Sequence, residues 1–151
     1  MKHNRSVPPP TVTPVLSYPD VRKAVEWLTG AFGFAERVRI GESHRAQMSI
    51  GDGGAMIVAD VRDERQAPRR DVYDHVIKVR VEDVDSQFKR ACEFGATVLG
   101  GLTDREYGER DCLFEDLAGH HWEFSQTIRD VAPEEFGCQT VEPWPPASTD
   151  S

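Results

Sequence analysis

Nowhere does this sequence carry an apolar run approaching the roughly 18 residues of a membrane-spanning helix, which excludes a helical membrane span within it. Cysteine is scarce. Cys92, Cys112 and Cys138 are odd in number and far apart, so they make neither a zinc motif nor a disulfide framework, and reduced thiols in a cytoplasm are expected. Positive charge is in deficit: 18 Lys and Arg against 26 Asp and Glu leave a net charge of −8. That balance argues against nucleic acid and anionic membranes as partners. It favours a cationic ligand, and it equally serves solubility. The opening MKHNRSVPPP is charged but has no apolar stretch, so no secretory signal is expected. A phosphate-binding glycine loop is also missing, because Gly51-Asp52-Gly53-Gly54 joins two strand-like runs instead of opening a helix. No Ser or Cys sits in a nucleophile elbow.

What remains is an ordered stretch between two arms. Residues 1–11 read as a flexible arm and 129–151 as a C-terminal extension disordered at its end, where Trp144 is the one residue suited to docking. Thr11–Ser17 is β-rich and interrupted by Pro14. Asp20 is placed to cap a helix whose stripe is Val21, Ala24, Val25, Leu28 and Phe32, with Gly30 and Gly33 ending it. Strands are expected at Glu36–Ile40, Arg45–Ile50 and Ala55–Asp60, and the charged run 61–72 reads as a linker. The order then recurs. His75–Val81 is a strand, Asp83 caps a helix with Val84, Phe88, Ala91 and Cys92 inward, and strands follow at Thr97–Leu102, Arg110–Glu115 and His121–Gln126.

The recurrence is a duplication. The helix openings Asp20-Val21 and Asp83-Val84 are offset by 63 residues, and the endings Phe32-Gly33 and Phe94-Gly95 by 62. The last turns, at Asp52 and Asp116, are offset by 64. One unit is strand–helix–strand–strand–strand, too long for a solenoid repeat and suited to two modules that pack together. The expected fold is therefore α+β: tandem βαβββ modules over 12–60 and 73–128, forming a curved mixed sheet around a cleft with helices outside.

Four segments carry a resemblance: Ser17–Val21, Val79–Val84, Tyr107–Arg110 and Asp116–Phe124. Their order and spacing resemble the glyoxalase / bleomycin-resistance / extradiol-dioxygenase superfamily, the vicinal oxygen chelate fold, over about residues 12–128. The resemblance implies four metal-ligand positions, on the first and last strand of each module. Here they fall on Thr13, near Val58, on Val76 and on Glu123, and only Glu123 is a ligand type. A rescued set of His75, Asp60 and Glu123 needs a register shift. A divalent metal is thus not the expected cofactor, since known catalytic sites take about three protein ligands. In that register Thr13, Val15, Ser17, Met56, Val58, Asp60, Val76, Lys78, Arg80, His121, Glu123 and Ser125 face the cleft, with Tyr107 and Arg110 at its rim. Glu123 and His121 are two apart on one strand, spaced for an acid–base couple. His120 and His44 are read as turn residues, and Trp122 and Phe124 as core.

The resemblance implies a small-molecule binder of the bleomycin-resistance type, homodimeric and metal-free. A lyase-, isomerase- or dioxygenase-like enzyme, using an atypical metal site or Glu123 with His121, stays open beside it. So does an interaction module with a vestigial pocket.

Overall fold

In the computed structural model, residues 2–63, 65–69 and 73–140 are described; Trp144 and part of the expected linker lie outside them. The first module runs β1 (Val15–Tyr18), α1 (Val21–Phe32), β2 (Ala35–Ile40), β3 (Arg45–Ile50) and β4 (Gly54–Asp60). The second runs β5 (Ile77–Arg80), α2 (Val84–Phe94), β6 (Thr97–Asp104), β7 (Glu109–Glu115) and β8 (His121–Thr127), followed by a short 3-10 turn at Pro133–Phe136. The tandem βαβββ architecture is present. Its strands form two four-stranded sheets, β1-β4-β3-β2 and β5-β8-β7-β6, each with one parallel pair, β1 with β4 and β5 with β8.

Both helices start and stop on the residues that local chemistry favours. Asp20 and Asp83 accept from the backbone N–H of Lys23 and Ser86, each at 3.1 Å, meeting donors that the first turn leaves without partners. Gly33 and Gly95 close the helices at φ 79° and 94°, a left-handed conformation that costs glycine nothing. Gly30 does not end α1. It lies inside the helix, where a Cβ would stand 2.3 Å from Phe94 Cε2, so the missing side chain seats the end of α2 against α1. Side chains of α2 also serve the last carbonyls of α1. Arg90 donates to Gly30 and Thr29 at 3.0 and 3.1 Å, and Gln87 donates to Phe32 at 2.9 Å. Cys92, expected inward, is exposed.

The modules share one core. Phe32 and Phe34 of the first meet Trp122 and Phe124 of the second, with Phe114 beside them. Trp122, Phe114 and Phe124 are fully buried. Burying each such side chain is worth about 1.5–3 kcal/mol. These residues fix which face of each sheet is inner.

In the first sheet Val58 pairs with Leu16 and Ala46, and Met56 with Met48, all packed in the core with α1. Met56 and Val58 therefore do not face the cleft as expected. Asp60, paired with Tyr18, follows the same alternation and is held by His44 at 3.2 Å and Arg65 at 2.7 Å. The open face of this sheet instead carries Ser17, Ala59, Gln47 and Ile57. Alternation is silent in Ala55–Ala59 because every residue there is apolar, so partners on other strands decide the register.

The turn Asp116-Leu117-Ala118-Gly119 fastens the modules together. Asp116, 2% exposed, accepts from Tyr18 Oη at 2.6 Å, Trp122 Nε1 at 3.0 Å, and the N–H groups of Ala118 and His120, each at 3.0 Å. Burial, then the Asp116 charge, raises the Tyr18 phenol well above its ordinary value, so Tyr18 stays a donor. His120 is buried, not the exposed turn residue expected, and its Nε2–H donates to Ser17 O at 2.7 Å. Its Nδ1 is buried with no hydrogen-bond partner among the described residues.

Burial lowers His120 below the usual histidine value. In the unfolded chain it takes up a proton near pH 6.5. Between that pH and the lower folded value the unfolded state binds more protons, so stability holds above 6.5 and is lost as pH falls through this window. Urea midpoints measured from pH 7.5 to 5 should decline in the wild type, and His120→Phe should flatten that slope; equal slopes would remove His120 from the acid response.

Candidate functional site

Strand β7 reads Glu109-Arg110-Asp111-Cys112-Leu113-Phe114-Glu115. Cys112 and Phe114 enter the core, so period-two alternation sends Glu109, Asp111, Leu113 and Glu115 to the opposite, open face. In β8, Trp122 and Phe124 point inward and His121, Glu123 and Ser125 outward; in β5, Ile77 and Val79 pack inward and Lys78 outward. Register then sets Lys78 and Leu113 beside Glu123, Asp111 beside Ser125, and Glu115 beside His121. The result is a face with four carboxylates, turned away from the core that the modules share.

Three of those carboxylates are matched and covered. Lys78 Nζ meets Glu109 at 2.6 Å, and that hydrogen bond raises Lys78 above its ordinary value, keeping it cationic. Arg105, from the loop after β6, holds Asp111 through two hydrogen bonds of 2.9 and 3.0 Å. His121 Nε2 is 3.3 Å from Glu115 in a buried contact, and its ring lies 4.0 Å from that of Tyr73. Glu123 differs. Its side chain is 26% exposed, and its contact is 3.4 Å to a Lys78 already engaged by Glu109. Tyr107, whose ring is 5.9 Å from Lys78 Nζ, stands at the edge.

The structure brings Lys78, Glu123, His121 and Tyr107 onto or beside this face, although His121 contacts Glu115 and not Glu123. Arg110 turns to the helix side, bonding Asp104 and Asp85. Thr13 precedes β1 and Val76 precedes β5, while Arg80, in register with the outward Ser125, follows Lys78 onto the open face and also borders a cavity between the modules. That cavity, of about 580 Å³, is walled by Phe32, Phe34 and Phe124, each nearly fully buried in the core that the modules share. His75 contacts Asp74 at 2.8 Å and borders a smaller pocket with Tyr73 and His121. Glu109, Asp111, Glu115 and Arg105 were not among the expected site residues. The acids at 109, 111 and 115, alternating with Cys112 and Phe114, are the signal that marks them.

The superfamily's metal finds no matching donor set. Val58 packs in the core, Asp60 is bound by His44 and Arg65, and Glu123 stands beside Lys78 on the other module. Among the described residues no cluster of three His, Cys, Asp or Glu is placed to hold a cation.

Comparison with known proteins agrees with the geometry. A family model described as the Glyoxalase/Bleomycin resistance protein/Dioxygenase superfamily matches residues 11–124. An uncharacterized protein of Mycobacterium bovis is 31% identical over 136 residues, covering 84% of this chain and 90% of its own. Among solved structures, TioX from Micromonospora sp. ML1 aligns at 33% identity with a TM-score of 0.64, over 78% of this chain and 99% of its own. A glyoxalase/bleomycin resistance protein/dioxygenase from Nocardioides shares the fold with a TM-score of 0.64 at 20% identity, over 84% of this chain and 89% of its own.

Proposed function

Because the chain belongs to the glyoxalase/bleomycin resistance protein/dioxygenase superfamily, we propose that it binds a small organic cation on the open face of the second sheet. The observation that carries this reading is Glu123. Its three neighbouring acids each have a close basic partner, whereas its own carboxylate is the most open of the four. A partly desolvated carboxylate beside the apolar Leu113 and the Tyr107 ring suits a protonated amine carried on an aromatic or aliphatic body. The reading is binding without covalent chemistry on a cysteine. The one buried thiol, Cys112, is pushed up to about 12 by burial and points into the core.

A second copy of the chain completes the site in this reading. The acidic face is open in one chain, and the edge strand β6 beside it exposes Val98, Leu99 and Leu102. The open face of the first sheet supplies the opposite charge, with Arg45 beside Ala59 and Arg37 bonded to Gln47. Acidic and basic faces of two copies are therefore complementary.

Isothermal titration with a panel of aromatic and aliphatic amines tests the reading. Glu123→Gln is expected to weaken the best binder about tenfold or more, the scale of one charge-assisted contact. Arg110→Gln, on the other face, should leave affinity unchanged. Full affinity in Glu123→Gln would move the site elsewhere.

A further inference from the structure

The first sheet's open face is already occupied. Gln47 belongs to that face because its neighbours Ala46 and Met48 fill the core on the other side. Yet Gln47 is only 3% exposed. Its Nε2 donates to the backbone carbonyl of Ser6 at 2.8 Å, and its Oε1 accepts from Arg37. The N-terminal arm is thus anchored on the sheet at Ser6, with Pro8 and Pro10 half-buried after that point and Lys2 to Arg5 exposed before it. The partner of Gln47 is a main-chain oxygen, so the contact holds the arm without reading its side chains. Nearby, Arg45 Nε is buried with no hydrogen-bond partner among the described residues. A buried guanidinium nitrogen without a hydrogen-bond partner among the described residues, under a strap for which they show one side-chain hydrogen bond, marks a face whose present cover is not its best match.

We infer that residues 2–10 are a detachable strap that competes with a second copy of this chain for the first sheet's open face. This rests on the reading that a second copy's acidic sheet closes over that face. With the strap seated, Gln47 is taken by Ser6 and Arg37 is bonded to Gln47, so another molecule meets the arm before it meets the sheet. With it displaced, Arg37 and Arg45 offer donors to Glu123 and its neighbours. The strap sets how readily the paired, ligand-ready form assembles.

Sedimentation equilibrium on the full chain, on a chain lacking residues 2–10, and on full-length Gln47→Ser tests this, with circular dichroism confirming that each folds. Removing the strap should lower the dimer dissociation constant about tenfold, the worth of one buried hydrogen bond no longer broken on pairing. Gln47→Ser, which keeps the face polar and frees the arm, should move it the same way by less. Equal constants would overturn the strap while leaving pairing intact, and a weaker dimer without residues 2–10 would make the arm part of the interface and overturn competition. Failure of both the full and the shortened chain to associate would overturn the pairing that the strap is said to oppose.

Discussion

Replacing Asp116 by alanine is expected to destabilise the protein by about 3–5 kcal/mol, the range for breaking a buried, hydrogen-bonded charge cluster. The reason lies in what the substitution leaves behind. Four donors converge on this carboxylate: the Tyr18 hydroxyl, the Trp122 indole and the N–H groups of Ala118 and His120. Without the acceptor they remain buried and unpaired, and each such group costs about 1–3 kcal/mol before relaxation. Because Tyr18 belongs to the first module and Trp122 to the second, the loss also loosens the junction between them. Thermal unfolding should drop by about 6–20 °C, taking 2–4 °C per kcal/mol for a chain of this size. Tyr18→Phe should cost far less, about 1 kcal/mol, since Asp116 keeps three donors. A double-mutant cycle of Tyr18→Phe with Asp116→Asn reads their coupling directly, and coupling near zero would show that the two modules are not fastened here.

The second large effect is expected at Phe32. Its ring is 3% exposed and meets five others, with centroids 5.1 Å from Trp27, 5.6 Å from Phe34, 6.1 Å from Phe114, 5.8 Å from Trp122 and 4.9 Å from Phe124. Phe32→Ala leaves a cavity at the centre of the shared core and should cost about 3–5 kcal/mol by urea unfolding. Phe32→Leu refills most of that volume and should cost roughly half as much or less. Phe88→Ala offers the comparison. Its ring is half-buried within the second module alone and touches only Phe114 among the described aromatics, so a smaller loss is expected. A cost for Phe32→Ala below that of Phe88→Ala would place the principal core within each module and not between them.

These two residues show how unevenly the site and fold were legible. Phe32 was recognisable as core from helical periodicity alone, because its stripe of Val21, Ala24, Val25 and Leu28 repeats at the spacing of one helix face. Asp116 was recognisable only as a turn residue. Its partners Tyr18 and Trp122 are 98 and 6 residues away, and no local pattern encodes a contact across 98 residues. His120 shows the same gap: a histidine beside a glycine turn reads as exposed until Ser17 is found against it.

The sequence by itself determined the duplicated βαβββ plan, both helix caps, and the sidedness of β8, since Trp122 and Phe124 alternate with His121, Glu123 and Ser125. Each of these is a local signal, set by capping chemistry or by a polar–apolar period. Only the tertiary structure decided that Val58 turns to the core, that Glu109, Asp111 and Glu115 gather around Glu123, and that the N-terminal arm lies on Gln47. In β4 five consecutive apolar residues carry no period, and a carboxylate's meaning depends on which distant cation neutralises it. Register and charge pairing are properties of strands brought together from far apart in the chain. That is why Glu123 could be picked out from its own strand, while its being the least compensated acid on the face required every neighbouring strand to be in place.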